Sequence, residues 1–192
     1  MKELLIDTIS PLIFPLMILE GKGGNGRMRL KGKLQEAEVK NGNNRVYPRE
    51  TLEKEVNRYL SENVKQRTAM GELDHPNSEI VNLANVSHLI TNIWWEGNAV
   101  MGELELLNTP SGKIAQEIVM SGIPLGISSR AMGSVQQLGE TVEVQDDLSL
   151  VAWDLVSNPS TPRAYMKLSE GLISQPSYNQ YNRINEFRAD II

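Results

Sequence analysis

The chain has 192 residues, of which 40% are hydrophobic and 22% are charged. These proportions are typical of a globular protein with one sizeable core, and they exclude a chain that is disordered throughout. The absence of cysteine excludes a disulfide framework, a thiolate metal site and a cysteine nucleophile, and a formal net charge of -5 offers no broad attraction for nucleic acid or anionic lipid.

The N-terminal segment combines a short apolar run with a glycine-rich end. The run from Pro11 to Leu19 is too short to cross a bilayer and is interrupted by Pro15. No small-residue cleavage motif follows it, so we expect neither a membrane anchor nor a secretory signal, and we expect a cytoplasmic protein. Residues 21–26 predict a flexible glycine-rich hinge, which makes residues 1–20 separable from the body of the chain.

Two helices are predicted from apolar residues at helical spacing. The first spans about Pro48 to Val64, and a proline suits its first turn. The second spans about Pro110 to Ser121, with Thr109 as the N-cap and Gly122 as the terminator. The residues predicted to face inward from the second helix are Ile114, Ile118 and Val119.

Most of the remaining body is predicted to form strands. They are expected at residues 86–95, 99–107, 127–138, 141–144 and 148–156, with turns at 96–98 and 139–140. We expect Trp94 and Trp95 to pack in the core or an interface rather than stack on a ligand. Residues 171–192 show no sustained periodicity and predict a flexible tail. The fold class is therefore α+β, a small, mostly antiparallel β-barrel flanked by α-helices.

The histidines have different surroundings. Without cysteine, the useful search is for a hydroxyl nucleophile, a histidine base and a carboxylate that orients the base. His75 follows a short predicted strand and precedes Pro76, where a histidine can be exposed yet held. A loop residue that only bonds its neighbours is an equally good interpretation of His75. His88 lies in an apolar strand pattern and is interpreted as structural.

One predicted strand carries Ser128, Ser129 and Arg130 in succession. Adjacent residues of a strand face opposite sides, so only one serine can point at a given histidine. The backbone N–H groups after the nucleophile, with Arg130 nearby, are candidates for oxyanion stabilisation, and an edge strand without such a role is the alternative. Asp154 interrupts another apolar strand and needs a partner, such as a protonated imidazole, if it is buried. An exposed strand face is the other explanation of Asp154.

Together these segments resemble the prohead core proteases of T-even-like tailed bacteriophages, serine endopeptidases that are distantly similar in fold to the assemblin proteases of herpesviruses. The resemblance covers most of residues 34–165, and its order and spacing make it specific. The matching segments are Asn41-Gly-Asn-Asn-Arg-Val-Tyr-Pro48, Gly71-Glu-Leu-Asp-His-Pro76, Ile93-Trp-Trp-Glu-Gly-Asn98, Ile123-Pro-Leu-Gly-Ile-Ser-Ser-Arg130 and residues 154–162.

The resemblance implies peptide-bond hydrolysis through an acyl-enzyme, with no metal and no cofactor. It makes His75 the general base, Ser128 the nucleophile and Asp154 the orienting third member. Ser129 and Arg130 are then the oxyanion and substrate-binding residues. Ala131 stands where the family has a glycine, and the catalytic pair is unaffected.

Proteases of this family cleave after glutamate, in a pattern of Leu or Ile, any residue, Glu, then Gly or Ala. The chain contains this pattern at Glu20-Gly21, Glu36-Ala37 and Glu170-Gly171. The middle site lies in a predicted strand, where a folded backbone cannot easily enter an active site. We therefore expect self-processing after Glu20 and Glu170, which divides the chain into a pro-segment (1–20), a serine protease domain (21–170) and a tail (171–192).

The resemblance also implies partners and a location. The expected substrates are capsid scaffold or core proteins and the major capsid protein, inside the viral prohead in the host cytoplasm. Arg45, Arg49 and Arg130 are candidate cationic groups for the substrate glutamate. We expect no membrane and no specific nucleic acid as partners, and a homo-oligomer is left open.

Two other functions compete with this interpretation. The main alternative is a non-enzymatic capsid-assembly or scaffold-associated protein of the same fold, in which His75 and Ser128 only pack or form hydrogen bonds. The second is a small β-barrel module that binds single-stranded nucleic acid through Trp94 and Trp95, which the acidic balance disfavours.

Overall fold

The computed structural model describes residues 2–6, 27–158, 160–161 and 164–168 of the chain. Within these ranges the chain forms eleven strands and two α-helices, and neither helix is long and apolar enough to span a membrane. The strands are β1 (Glu3–Ile6), β2 (Arg29–Glu36), β3 (Arg45–Val46), β4 (Met70–Glu72), β5 (Val86–Glu96), β6 (Ala99–Leu106), β7 (Gly126–Gly133), β8 (Val135–Leu138), β9 (Thr141–Val144), β10 (Ser149–Val156) and β11 (Met166–Leu168), and the helices are α1 (Arg49–Tyr59) and α2 (Pro110–Met120).

Three sheets organise these strands. The largest has the order β11-β2-β6-β5-β4, a second has the order β1-β7-β10, and a small third sheet has the order β3-β9-β8. Every strand pair in them is antiparallel except β3 with β9. The α+β class and the mostly antiparallel pairing are therefore confirmed, whereas closure of the strands into a barrel stays a prediction.

The first helix packs behind the strand that carries Asp154. A π-helical turn, Leu60–Val64, follows α1, so the helical segment ends at the predicted residue. The ring of Tyr59 meets the ring of Trp153 edge to face, with centroids 5.1 Å apart, which fixes the helix against β10. The buried residues of α1 are Leu52, Glu55, Val56 and Tyr59.

The second helix has the predicted ends but a different buried face. The Thr109 hydroxyl accepts the backbone N–H of Gly112 at 3.1 Å, which confirms the N-cap. The prediction that Ile114 faces inward is wrong, because 53% of this residue is exposed. Gly112 and Ala115 face the sheet instead, together with Val119.

Close approach of the backbones explains this face of α2. A Cβ atom on Gly112 would lie 2.1 Å from the carbonyl oxygen of Leu107 and 2.7 Å from that of Ser87. No larger side chain fits where the helix meets β5 and β6, so the smallest residues define the contact. A hydrophobicity pattern gives little weight to such residues, and for that reason it selected Ile114 instead.

The predicted strand at residues 127–138 is interrupted. Ser134 separates β7 from β8, and its backbone N–H and hydroxyl both donate to Asp147 Oδ1, at 2.8 and 2.9 Å. The two predicted turns are present, and Gly97 and Gly139 adopt positive φ there, at 58° and 62°.

The N-terminal strand belongs to the sheet that carries the candidate site. β1 pairs with β7 from Glu3 opposite Gly133 to Ile6 opposite Arg130. Leu5 is fully buried in the core. Four residues of the predicted pro-segment are thus part of this sheet, while residues 7–26 and 169–192 lie outside the described residues.

Candidate active site

Two adjacent strands bring the predicted nucleophile and carboxylate together. Ser128 of β7 is directly opposite Asp154 of β10 in the antiparallel register. Opposite residues of such a pair share one face of the sheet, and Arg130, two residues further along β7, shares it too. Ser129 and its partner Trp153 lie on the other face, toward α1. The sheet therefore places Ser128, and not Ser129, beside Asp154.

The segment after β4 carries His75 to the same place. Leu73 forms a parallel bridge with Leu155, and the backbone N–H of Asp74 donates to the Leu155 carbonyl at 2.7 Å. His75 Nδ1 then lies 2.8 Å from Asp154 Oδ2. Only 9% of the His75 side chain is exposed. The histidine is therefore held in place, but it is less exposed than the sequence predicts. It is half-buried because it reaches a carboxylate that is itself fully buried.

The contact with Asp154 determines which nitrogen of His75 is available. An ionised carboxylate can only accept hydrogen bonds, so Nδ1 carries the proton that is donated to Asp154. In neutral imidazole the other nitrogen, Nε2, is then an acceptor. Within the described part of the chain, Nε2 is buried and has no hydrogen-bond partner. The ring therefore presents a lone pair, as a general base must.

Asp154 is fully buried and is stabilised as an anion. Besides His75, it accepts a hydrogen bond from Arg130 Nε at 2.9 Å and one from the backbone N–H of Glu72 at 2.9 Å. Burial opposes ionisation, but the hydrogen bond from His75, the charge of Arg130 and the Glu72 backbone together hold the pKa of Asp154 below its ordinary value of 3.8. A partner was expected for a buried carboxylate at this position, and the structure provides three.

The Arg130 guanidinium is bound within the protein. Its Nη2 donates to Glu72 Oε1 at 2.9 Å and its Nη1 donates to the Ser78 carbonyl at 2.8 Å, in addition to the bond with Asp154. Arg130, Glu72 and Asp154 are all fully buried. This guanidinium therefore pairs with two carboxylates of the chain rather than facing a substrate glutamate. Glu72 was not predicted as a site residue, although a glutamate in a short strand just before His75 was a usable signal.

A second hydroxyl lies against Ser128. Ser128 and Ser160 are both buried, and their Oγ atoms are 3.1 Å apart. Ser160 belongs to the segment that follows β10. Ser160 was not predicted as a site residue, because its contact with a residue so far away in the chain leaves no local sequence pattern.

His88 is a structural histidine, as the sequence predicted. Its Nε2 donates to the Trp153 carbonyl at 3.0 Å, and its Nδ1 lies 2.9 Å from the Ser87 hydroxyl. Burial lowers its pKa to about 4, against smaller opposing effects of Asp154 and of the Trp153 carbonyl, so the ring is neutral at pH 7. Gly71 leaves room for it, since a Cβ atom there would lie 2.4 Å from the His88 ring.

The other two arginine candidates make contacts away from the His75–Asp154 pair. Arg45 donates to the carbonyl of Ile6 at 3.1 Å. The Arg49 guanidinium lies over the Trp95 ring, 3.5 Å from its centroid, and pairs with Glu53 at 3.1 Å. Trp95 also packs against the hydrophobic core, which confirms a packing role for this residue.

The predicted cleavage sites have no geometry to compare. The expected cleavage sites Glu20-Gly21 and Glu170-Gly171 lie outside the described residues. Among the residues that are described, no three His, Asp or Glu side chains come close enough together to hold a metal ion.

Comparison with known proteins gives matches at the level of family, sequence and structure. Residues 6–175 match the family described as prohead core protein serine protease. The prohead core protein protease of Enterobacteria phage T4 is 35% identical over 151 residues, which cover 76% of this chain and 71% of the relative. The solved structure of the bacteriophage T4 capsid assembly protease superposes with a TM-score of 0.68 at 30% identity, covering 81% of this chain and 98% of that chain.

Proposed function

The chain belongs to the prohead core protein serine protease family, and from this premise we propose that it is a serine endopeptidase in which Ser128, His75 and Asp154 act together. The observation that carries the proposal is the 2.8 Å contact between His75 and Asp154 on the face of the sheet that also holds Ser128. A base with an available nitrogen, a carboxylate that orients it and a hydroxyl on the same face are the components of acyl transfer by a serine.

The proposed reaction has two halves. His75 Nε2 takes the Ser128 proton while Oγ forms a bond to the scissile carbonyl carbon, and the imidazolium is stabilised by Asp154. His75 then gives the proton to the leaving amine as the peptide bond breaks. In the second half His75 takes a proton from a water molecule that attacks the ester, and it returns this proton to Ser128 Oγ as the new carboxyl end leaves. His75 Nε2 has no hydrogen-bond partner among the described residues, so the Ser128 hydroxyl, which lies against Ser160, has to form this bond during the reaction.

We assign the oxyanion to the backbone around Ser129 and Arg130, as the resemblance implies. The N–H of Ile127 donates to the Ala164 carbonyl at 2.9 Å, on the side of β7 away from β10. Since N–H groups alternate along a strand, the N–H of Ser129 points to that side as well, and the N–H of Arg130 points toward β10. The two groups point to opposite sides of the strand, so they cannot both bind one oxyanion, and we propose the N–H of Ser129, next to the nucleophile, as the donor.

The proposed substrates come from the relatives. They are named for the prohead core and for capsid assembly, so we infer that this protease cuts scaffold or core proteins and the major capsid protein inside the prohead, in the host cytoplasm. We propose cleavage after glutamate in the pattern Leu or Ile, any residue, Glu, then Gly or Ala. Self-processing after Glu20 and Glu170 would leave residues 21–170 as the mature domain.

Intact-mass spectrometry tests the proposal. Wild type, Ser128→Ala and Ser129→Ala are each incubated with a peptide that contains Ile-Leu-Glu-Gly. Ser129→Ala is the matched control, because it removes the same hydroxyl one residue away on the opposite face of the sheet and keeps the backbone N–H that is proposed for the oxyanion. We expect cleavage after glutamate by wild type and by Ser129→Ala only. Equal cleavage by Ser128→Ala would refute the assignment of the nucleophile, and no cleavage by any protein would favour a purely structural role in assembly.

A further inference from the structure

Glu72 has a place in the site that the reaction described above leaves unexplained. It touches Asp154 through its backbone N–H at 2.9 Å and Arg130 through its carboxylate, also at 2.9 Å. Its Oε1 accepts a second hydrogen bond, from the backbone N–H of Asn82 at 3.0 Å. Its Oε2 is buried and has no hydrogen-bond partner within the described part of the chain. A buried carboxylate oxygen without a partner costs stability and needs an explanation.

The charges around His75 suggest a role for the Glu72 carboxylate. Arg130 donates to the same oxygen of Asp154 as His75 does, so its positive charge cancels much of the field that Asp154 exerts on the imidazole. A neutral Asp–Arg pair would be a poor stabiliser of an imidazolium. Glu72 pairs with Arg130 from the other side and returns the net charge of the three buried groups to minus one.

We propose that Glu72 is a positioning residue of the active site. It holds Arg130 against Asp154, and it supplies the negative charge that lets the Asp154–Arg130 pair stabilise a protonated His75. The inference rests on the proposed role of His75 as the general base. A buried ion pair is weak evidence for stability, since apolar replacements are often as stable, so the charge itself is the property to test.

The test uses the fact that the chain has only two histidines. The imidazole signals of His75 and His88 can therefore be followed separately by NMR as the pH is changed. All proteins carry Ser128→Ala to prevent self-cleavage, so the readout does not depend on activity. His75 contacts Asp154 on β10 and adjoins Asp74. Asp154 in turn binds Arg130 on β7, which pairs with Glu72 on β4, and the neutral His88 on β5 lies close enough to Asp154 to feel its charge.

We expect Glu72→Gln to move the midpoint of the His75 titration to lower pH by about one unit, because one buried negative charge is lost while an acceptor for Arg130 remains. Asp74→Asn is the matched control, since it removes a carboxylate beside His75 that is exposed to water, and it should move the midpoint by less than about a third of a unit. An unchanged midpoint in Glu72→Gln would overturn the inference.

A charge-balanced variant covers the case in which Glu72→Gln does not fold. Glu72→Gln combined with Arg130→Met removes both partners of the ion pair and keeps the net charge at minus one. We expect its His75 midpoint to stay within about half a unit of the parent, whereas a Glu72 without electrostatic influence predicts a rise of about one unit from the loss of Arg130 alone.

Activity separates this inference from the proposed function. With Ser128 intact, Glu72→Gln should move the acidic limb of the kcat/KM profile in the same direction as the NMR midpoint. If His75→Ala remained active, the proposed base would be wrong even where the NMR shift occurred. If His75→Ala were inactive and the midpoint did not move in Glu72→Gln, only the role of Glu72 would fail.

Discussion

Ser128 Oγ lies 3.1 Å from Ser160 Oγ, and both serines are buried. The His75 nitrogen that should receive the Ser128 proton is, among the described residues, without a partner. For the proposed reaction the Ser128 hydroxyl therefore has to exchange its contact with Ser160 for one with His75. The Ser160 contact then adds to the free energy of that exchange.

Removing the Ser160 hydroxyl should make it easier for Ser128 to form a hydrogen bond with His75. One neutral hydrogen bond contributes about 1 kcal/mol, so we expect Ser160→Ala to raise kcat by up to about fivefold. Initial rates on a glutamate-containing peptide measure the effect. Thr161→Val, in the adjacent buried residue, is the control and should leave the rate within about twofold of wild type. A fall in rate with Ser160→Ala would instead make Ser160 a contributor to the reaction.

Replacing Asp154 with asparagine, which has the same shape but no charge, should abolish most of the activity. In Asp154→Asn the amide no longer fixes the His75 tautomer or stabilises the imidazolium, and comparable changes in serine proteases cost about 10⁴ in kcat. We expect a loss of at least about 10³-fold, measured with the same peptide. Asp74→Asn, an exposed neighbour of His75, should retain activity within about threefold. Activity near the wild-type level in Asp154→Asn would leave His75 without an assigned orienting group.

The carboxylate substitution should also change how stability depends on pH. The folded state holds the pKa of Asp154 below its ordinary value of 3.8, so this group stabilises the fold at higher pH, and the stabilisation is lost as the pH falls below 3.8. Urea unfolding at intervals of about half a pH unit between pH 5 and pH 3 measures how the free energy of unfolding changes. We expect a shallower acid loss in Asp154→Asn than in wild type, and parallel curves would contradict the ion-pair geometry.

The elements that local sequence determines were predictable. Thr109 and Gly122 mark the ends of α2 because capping depends on a few consecutive residues, and the turn at Gly97 depends on one positive φ. The placement of β1 was not predictable, since a four-residue strand is too short for a periodic signal and its partner lies more than 120 residues away.

The candidate site divides in the same way. Ser128, His75 and Asp154 were predicted as a site because their residue types and the family motifs point to acyl transfer, and the structure brings His75 and Asp154 into contact. Glu72 and Ser160 were missed because their importance comes from contacts across the sheet. Burial of Arg130 between two carboxylates was not predictable either, since a sequence does not distinguish an arginine that faces substrate from one that is paired inside.

His88 should make the fold sensitive to mild acid. Its pKa is lowered to about 4 in the folded state, mainly by burial, while an unfolded histidine titrates near 6.5. Stability is therefore complete above pH 6.5 and is lost as the pH falls toward 4, by about 3 kcal/mol in total. We expect urea unfolding of the Ser128→Ala protein to show this loss and the same protein with His88→Gln to lack most of it. Equal pH dependence in the two proteins would contradict a neutral, buried His88.

The position of β1 leads to a prediction about self-processing after Glu20. Backbone pairing with β7 and the full burial of Leu5 hold residues 3–6 in the sheet, and cleavage beyond them breaks neither contact. We therefore expect the N-terminal fragment to stay bound after the cut. Native mass spectrometry should find fragment and domain together, and denaturing conditions should separate them.

Substitution of Leu5 tests whether this packing retains the fragment. Leu5→Ala leaves a cavity in the core and should weaken the association by about 3 kcal/mol, enough to release the fragment at micromolar protein. Glu3→Gln, an exposed residue of the same strand, is the matched control and should leave the fragment bound. Release of the fragment from wild type under native conditions would mean that β1 leaves β7 once the connection is cut, and the strand that carries Ser128 would then gain a free edge in the mature enzyme.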